Sequence, residues 1–124
     1  MSVAEATPAL RTITALLSIL EDAGIDARRD AGKFYPQPIG VLVGLPTLTS
    51  RGAATRTFTV PVLVVSGDPL NSELAVDRLY SMADEVALAL QTDNYRPSSW
   101  RSGVNSEPLP ALELSVTVTE SEVP

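Results

Sequence analysis

The stretch that most constrains this chain runs from Ile39 to Gly67. It holds two β-rich segments, Ile39-Gly40-Val41-Leu42-Val43-Gly44-Leu45 and Phe58-Thr59-Val60-Pro61-Val62-Leu63-Val64-Val65. Between them lie Pro46 to Thr57, which carry Thr, Ser, Gly and two arginines but no acid. This pattern predicts a hairpin with a long loop, whose strands form the middle of a sheet. Successive side chains of a strand point to opposite faces, so Phe58, Val60, Val62 and Val64 share one face and Leu63 and Val65 the other. A sheet covered by helices on one face leaves its second face in water. Apolar residues on both faces therefore imply either a buried central strand or a second copy of the chain. Pro61 has no N–H, so its position in the ladder must face an edge, a bulge or solvent. Gly40 and Gly44, four apart, share a strand face and either admit a close neighbour or mark bulges.

Two helices flank this hairpin. Thr7-Pro8 reads as a cap followed by a proline at the first helical position, where its missing donor costs nothing. Leu10, Ile13, Leu17 and Leu20, with Leu16 beside them, form one apolar stripe. The first helix is expected over Pro8 to Ala23, ended by Gly24 in the left-handed conformation with Ile25 packing back. Ile25 to Arg29 reads as a short strand, and Pro36 and Pro38 demand extended backbone before Ile39. After the turn Ser66-Gly67-Asp68-Pro69, either Asn71 or Ser72 caps a second helix, with Glu73 at its positive end. Leu74, Leu79, Met82, Val86 and Leu90 give that helix a core stripe, and Asn94 is expected to take its left-handed cap. Tyr95 to Ser106 reads as an irregular strand. Leu112 to Thr119 alternates strictly between apolar and polar, the mark of a half-buried antiparallel strand, before an acidic tail from Glu120 to Pro124. The expected fold is a single α+β domain over residues 1–124, in the order α-β-β-α-β-β. Its mostly antiparallel sheet has about four strands and two helices packed on it, with a long loop in the first hairpin.

Composition narrows the chemistry. The 124 residues are 44% hydrophobic but only 5% aromatic, so aliphatic side chains must fill the core. The chain contains no histidine and no cysteine. That removes the usual base near neutral pH, the reactive thiol and the common zinc ligands. A net charge of −6 argues against a broad phosphate-binding surface. No apolar run approaches the roughly 20 residues that span a bilayer, and no leader is evident, so a protein without membrane or secretory targeting is expected. Phosphate-loop, zinc, nucleophile-elbow and EF-hand patterns are missing, and neither an enzymatic activity nor a cofactor is expected. Glu21-Asp22 and Asp84-Glu85 are neighbours on helices whose side chains diverge. Trp100, flanked by Arg96 and Arg101, reads as a structural or subunit-interface anchor before it reads as a base-stacking site.

The whole-chain order carries a resemblance. A Leu/Ile helix ends at Gly24. Then come Phe34-Tyr35-Pro36-Gln37-Pro38, the strand Ile39 to Leu45-Pro46, the strand Phe58-Thr59-Val60-Pro61-Val62 through Val64-Val65-Ser66, and the helix Leu79 to Leu90. Together these resemble the tail terminator proteins of long-tailed phages, especially those of actinobacterial hosts. The resemblance implies an α+β subunit without enzymatic activity that closes a homo-hexameric ring on the completed tail tube. Its partners would be copies of itself, the tail tube protein and the head-side connector. DNA would pass through the lumen without specific binding. The place would be the head-proximal end of the virion tail, after assembly in the host cytoplasm. The ring contact would be heterologous, one patch meeting a different patch on the next subunit. The residues expected at assembly contacts are Thr49, Ser50, Arg51 and Arg56 in the hairpin loop, with Arg28, Arg29 and Trp100. Other neck or head-completion proteins, and more distantly a small ligand-binding module or carboxylate-based enzyme, fit the same composition.

Overall fold

The computed structural model of the chain describes residues 7–29, 36, 38–67, 70, 72–101 and 107–121. It is an α+β structure in which helix α1 (Pro8–Asp22) and helix α2 (Glu73–Leu90) cover a six-stranded mixed sheet. The strands are β1 (Ala27–Arg28), β2 (Ile39–Val43), β3 (Thr47–Arg51), β4 (Thr55–Ser66), β5 (Arg96–Trp100) and β6 (Leu109–Ser121). The sheet order is β1-β2-β4-β6-β5, with β3 also paired to β4. All pairs are antiparallel except β1 with β2. The element order is therefore α-β-β-β-β-α-β-β, two strands more than the expected α-β-β-α-β-β: β1, within the short strand read over Ile25 to Arg29, and β3, in the expected loop.

The helices begin and end for local reasons. The Thr7 hydroxyl accepts from the Leu10 amide, and the Ser72 hydroxyl from the Ala75 amide, each at 3.2 Å. At the far end of α1, Gly24 sits at φ +79. The Ile25 amide donates to the Leu20 carbonyl and the Gly24 amide to the Glu21 carbonyl, the paired bonds that satisfy orphaned helix carbonyls. Leu20 and Ile25 are both buried there. Gln91 rather than Asn94 takes the left-handed conformation after α2, at φ 55. The apolar stripe of α2 stops at Leu90, so the chain must turn immediately afterwards.

Both helices pack on the face presented by Val60, Val62 and Val64 of β4, Val41 and Val43 of β2, and Leu112, Leu114 and Val116 of β6. Ile13, Leu16 and Leu20 from α1 meet Leu79, Ala83, Val86 and Leu90 from α2 over this surface. Leu74, expected in the core stripe, is 64% exposed. At 100° per residue it lies about 140° around the helix from Leu79, on the solvent side. The helix-free face of the sheet holds its own cluster, with Leu42, Val65 and Ala111 buried under Leu63, Trp100 and Leu109. The apolar second face read from Leu63 and Val65 is thus partly covered within one copy of the chain.

The residues expected to be a loop are mostly strand. Thr47–Arg51 pairs with the first part of β4, and the turn is closed by a 2.9 Å bond from the Gly52 amide to the Thr55 carbonyl. The segment carries no apolar alternation because its side chains are exposed throughout, and its order comes from main-chain pairing with β4 and not from burial. β2 and β3 lie end to end along one side of β4, separated by Gly44, Leu45 and Pro46. Pro61 of β4 sits at this break. Its carbonyl accepts from the Gly44 amide at 2.8 Å. A strand residue's N–H and C=O point to the same side. The donor that Pro61 lacks therefore faces the gap between β2 and β3, outside the register of either strand. The acidic tail also shortens, because β6 continues through Ser121. The expected lead-in 1–6, Phe34-Tyr35, the Asp68-Pro69 turn, an Asn71 cap, residues 102–106 of the fifth strand and the tail end 122–124 lie outside the described residues.

Candidate functional site: an exposed three-stranded arm

Beyond the helix-covered core, β3, the start of β4 and the end of β6 continue as a three-stranded arm. Register fixes what each face of the arm presents. Thr47 pairs with Thr59 and Leu48 with Phe58, whereas Ser50 pairs with Thr57 and Arg51 with Arg56. One residue, Thr49, is therefore extra, a β-bulge that bends and twists the strand. Its hydroxyl donates to the Thr57 carbonyl at 3.1 Å, and the Thr57 and Thr119 hydroxyls lie 3.0 Å apart on the next pair. Because of the bulge, Leu48 and Arg51, three apart in sequence, fall on the same face as Phe58 and Arg56. This is the face that carries the helices further along the sheet.

Arg56 also pairs in register with Glu120 of β6, so Arg51, Arg56 and Glu120 form a row across three strands. Arg11 of α1 joins the end of that row. Its Nε donates to Glu120 Oε1 at 3.3 Å, and its Nη2 donates to the Ser121 carbonyl. The Arg11 side chain is only 12% exposed, so α1 clamps the last residues of β6 in place. Nothing in the apolar pattern of α1 marked Arg11.

The seven residues singled out in the sequence do not converge. Thr49, Ser50, Arg51 and Arg56 lie together on the arm. Arg28 stands at the β1 edge, 3.4 Å from Asp26, with both side chains largely in water. Arg29 borders a hollow with Leu10, Ile13, Leu42, Val43, Gly44 and Leu45 at the β2–β3 break. Trp100 ends β5, at the opposite edge of the sheet from β1, and packs on the helix-free face.

A second surface was not anticipated. One flank of α2 forms a hollow lined by Leu70, Ser72, Glu73, Val76, Asp77 and Tyr80. The Tyr80 ring meets Tyr95 edge-on, with centroids 5.8 Å apart and planes at 61°. The Tyr95 hydroxyl donates to Asp84 Oδ1 at 2.7 Å. That bond to a carboxylate holds the phenol proton and raises the Tyr95 pKa above the ordinary tyrosine value. The flank thus combines exposed apolar side chains with Glu73, Asp77 and Asp84. It was hidden in the sequence because Leu74 read as core, Glu73 as part of the helix start, and Val76 and Tyr80 fell outside the stripe.

Among the described residues, no group of three His, Cys, Asp or Glu is arranged to hold a metal ion, and no helix is long and apolar enough to cross a membrane. No protein-family model matches the chain, and no match to it is found among curated proteins.

Proposed function

We propose that the protein is a structural subunit of a phage tail, forming the ring that caps the completed tail tube and joins it to the head-side connector. The observation that carries this reading is the arm. Its strand β3 is exposed along its whole length and holds Leu48 in water at 48% exposure beside Arg51 and Arg56. A strand with an open edge and an apolar side chain in water is an aggregation hazard unless a partner covers it. The Arg11 clamp and the continuous β4–β6 ladder hold the arm rigid enough to present that surface. The net charge of −6 suits a lumen through which DNA passes without being held. In this role the protein is not an enzyme and takes no cofactor. Its partners are copies of itself, the tube end and the connector.

Removing the protein from its phage is expected to yield tails of uneven length that fail to join heads. Supplying the wild-type protein restores virions, whereas the Arg51→Glu, Arg56→Glu double variant does not. Normal tails and infectious particles without the protein would overturn the reading.

A further inference from the structure

We infer that the arm of one copy seats in the α2 hollow of the next, Leu48 entering beside Val76 and Tyr80 while Arg51 and Arg56 face Glu73 and Asp77. This deepens the ring reading and rests on it for closure, but the contact itself stands on three features of the chain. The first is placement. β3 lies on the side of β4 opposite β6, whereas Tyr95, which contacts the α2 flank, leads into β5 beyond β6. The arm and the hollow therefore occupy opposite lateral sides of the subunit, as a head-to-tail contact requires.

The second is the distribution of exposed apolar side chains. Leu45 and Leu48 stand in water on the arm side, and Leu70, Leu74, Val76 and Tyr80 on or beside the α2 flank. Each group alone is an exposed apolar patch, and together they supply the two halves of an apolar contact. The third is charge. Arg51 and Arg56 flank Leu48 on one face, and Glu73 and Asp77 line the hollow itself. Two identical arms, or two identical α2 flanks, would bring like charges together, so the same charges that favour the heterologous contact oppose an isologous dimer.

The chain contains no cysteine, so an engineered pair reports this contact without background. The full-length double variant Leu48→Cys, Val76→Cys, oxidised at assembling concentration, is expected to give a reducible ladder of covalent multimers, because each copy offers both halves. Each single variant alone is expected to give no ladder. Independently, Glu73→Lys with Asp77→Lys is expected to weaken self-association by about tenfold, and adding Arg51→Glu with Arg56→Glu to the same chain to restore it. Circular dichroism confirms that each variant is folded. Rings by electron microscopy without a ladder overturn this contact and leave the ring reading standing. A ladder that stops at dimers overturns the head-to-tail arrangement. Absence of both rings and ladder overturns the contact, and the phage deletion phenotype then decides the ring reading by itself.

Discussion

Gly44 is the residue on which the arm hinges, and its replacement by alanine has a calculable consequence. A Cβ at this position would lie 2.8 Å from Pro61 Cγ and 3.1 Å from the Pro61 carbonyl oxygen. Both atoms are held, one in a ring and one in a main-chain bond to the Gly44 amide itself. Relieving such overlap typically costs about 1–3 kcal/mol. Restricting the unfolded chain returns about 0.4–1 kcal/mol. Gly44→Ala should therefore destabilise by about 1–2 kcal/mol, or roughly 4–8 °C in melting temperature for a domain of this size. The same change in a Pro61→Ala background removes the ring but leaves the carbonyl oxygen at 3.1 Å, and should cost clearly less. The coupling between the two positions in a double-mutant cycle is thus of the same order, about 1 kcal/mol or more. Equilibrium unfolding of the four proteins measures it. If Gly44→Ala melts with the wild type, or costs as much without Pro61 as with it, the account of the β2–β3 break is wrong.

Three further outcomes follow from individual contacts. Arg11→Met leaves Glu120 without its clamp and should cost about 1–2 kcal/mol, most of the nearby charge being shielded from water; hydrogen exchange should quicken at residues 117–121 and not in β2. Gln91→Gly replaces a side chain held at φ 55 and should stabilise by about 0.5–1 kcal/mol in chemical denaturation. The Tyr95 phenol should ionise above the ordinary tyrosine range, and Asp84→Asn should bring that midpoint down in an ultraviolet titration. The sign is that of a raised pKa in the folded state: the contribution is whole below the ordinary value and lost as pH climbs through the raised one.

What was legible in the sequence was whatever burial writes into a periodic pattern. The two helices, the Gly24 stop, the faces of Val60, Val62 and Val64, and the alternation of Leu112 to Thr119 all follow from side chains entering one core. β3 left no such trace. Thr47 to Arg51 is ordered chiefly by main-chain pairing and a turn, with none of its side chains buried, and main-chain bonds do not select side chains. The same reason explains the split outcome for the assembly residues. Thr49, Ser50, Arg51 and Arg56 were near one another in sequence and remain so on the arm. Trp100 and Arg28 are separated by the sheet order, which no local pattern encodes. The α2 hollow was invisible for a third reason. Tyr80 and Tyr95 meet across the turn after α2, whose path begins at the left-handed Gln91.

The two irregularities along β2 and β3 have a joint effect. Between the pairs Ile39–Ser66 and Arg51–Arg56, thirteen residues (39–51) run beside eleven (56–66). One surplus residue is taken up at Gly44 to Pro46 and one at Thr49. At about 3.3 Å per residue, the outer limb is longer than the inner by roughly 6–7 Å of path. Like the outer lane of a track, a longer limb fastened at both ends to a shorter one forces the pair to curve. The direction in which the arm reaches is therefore set by a count of residues and not by the core. Deleting Thr49 would re-aim the arm while leaving every buried side chain where it is.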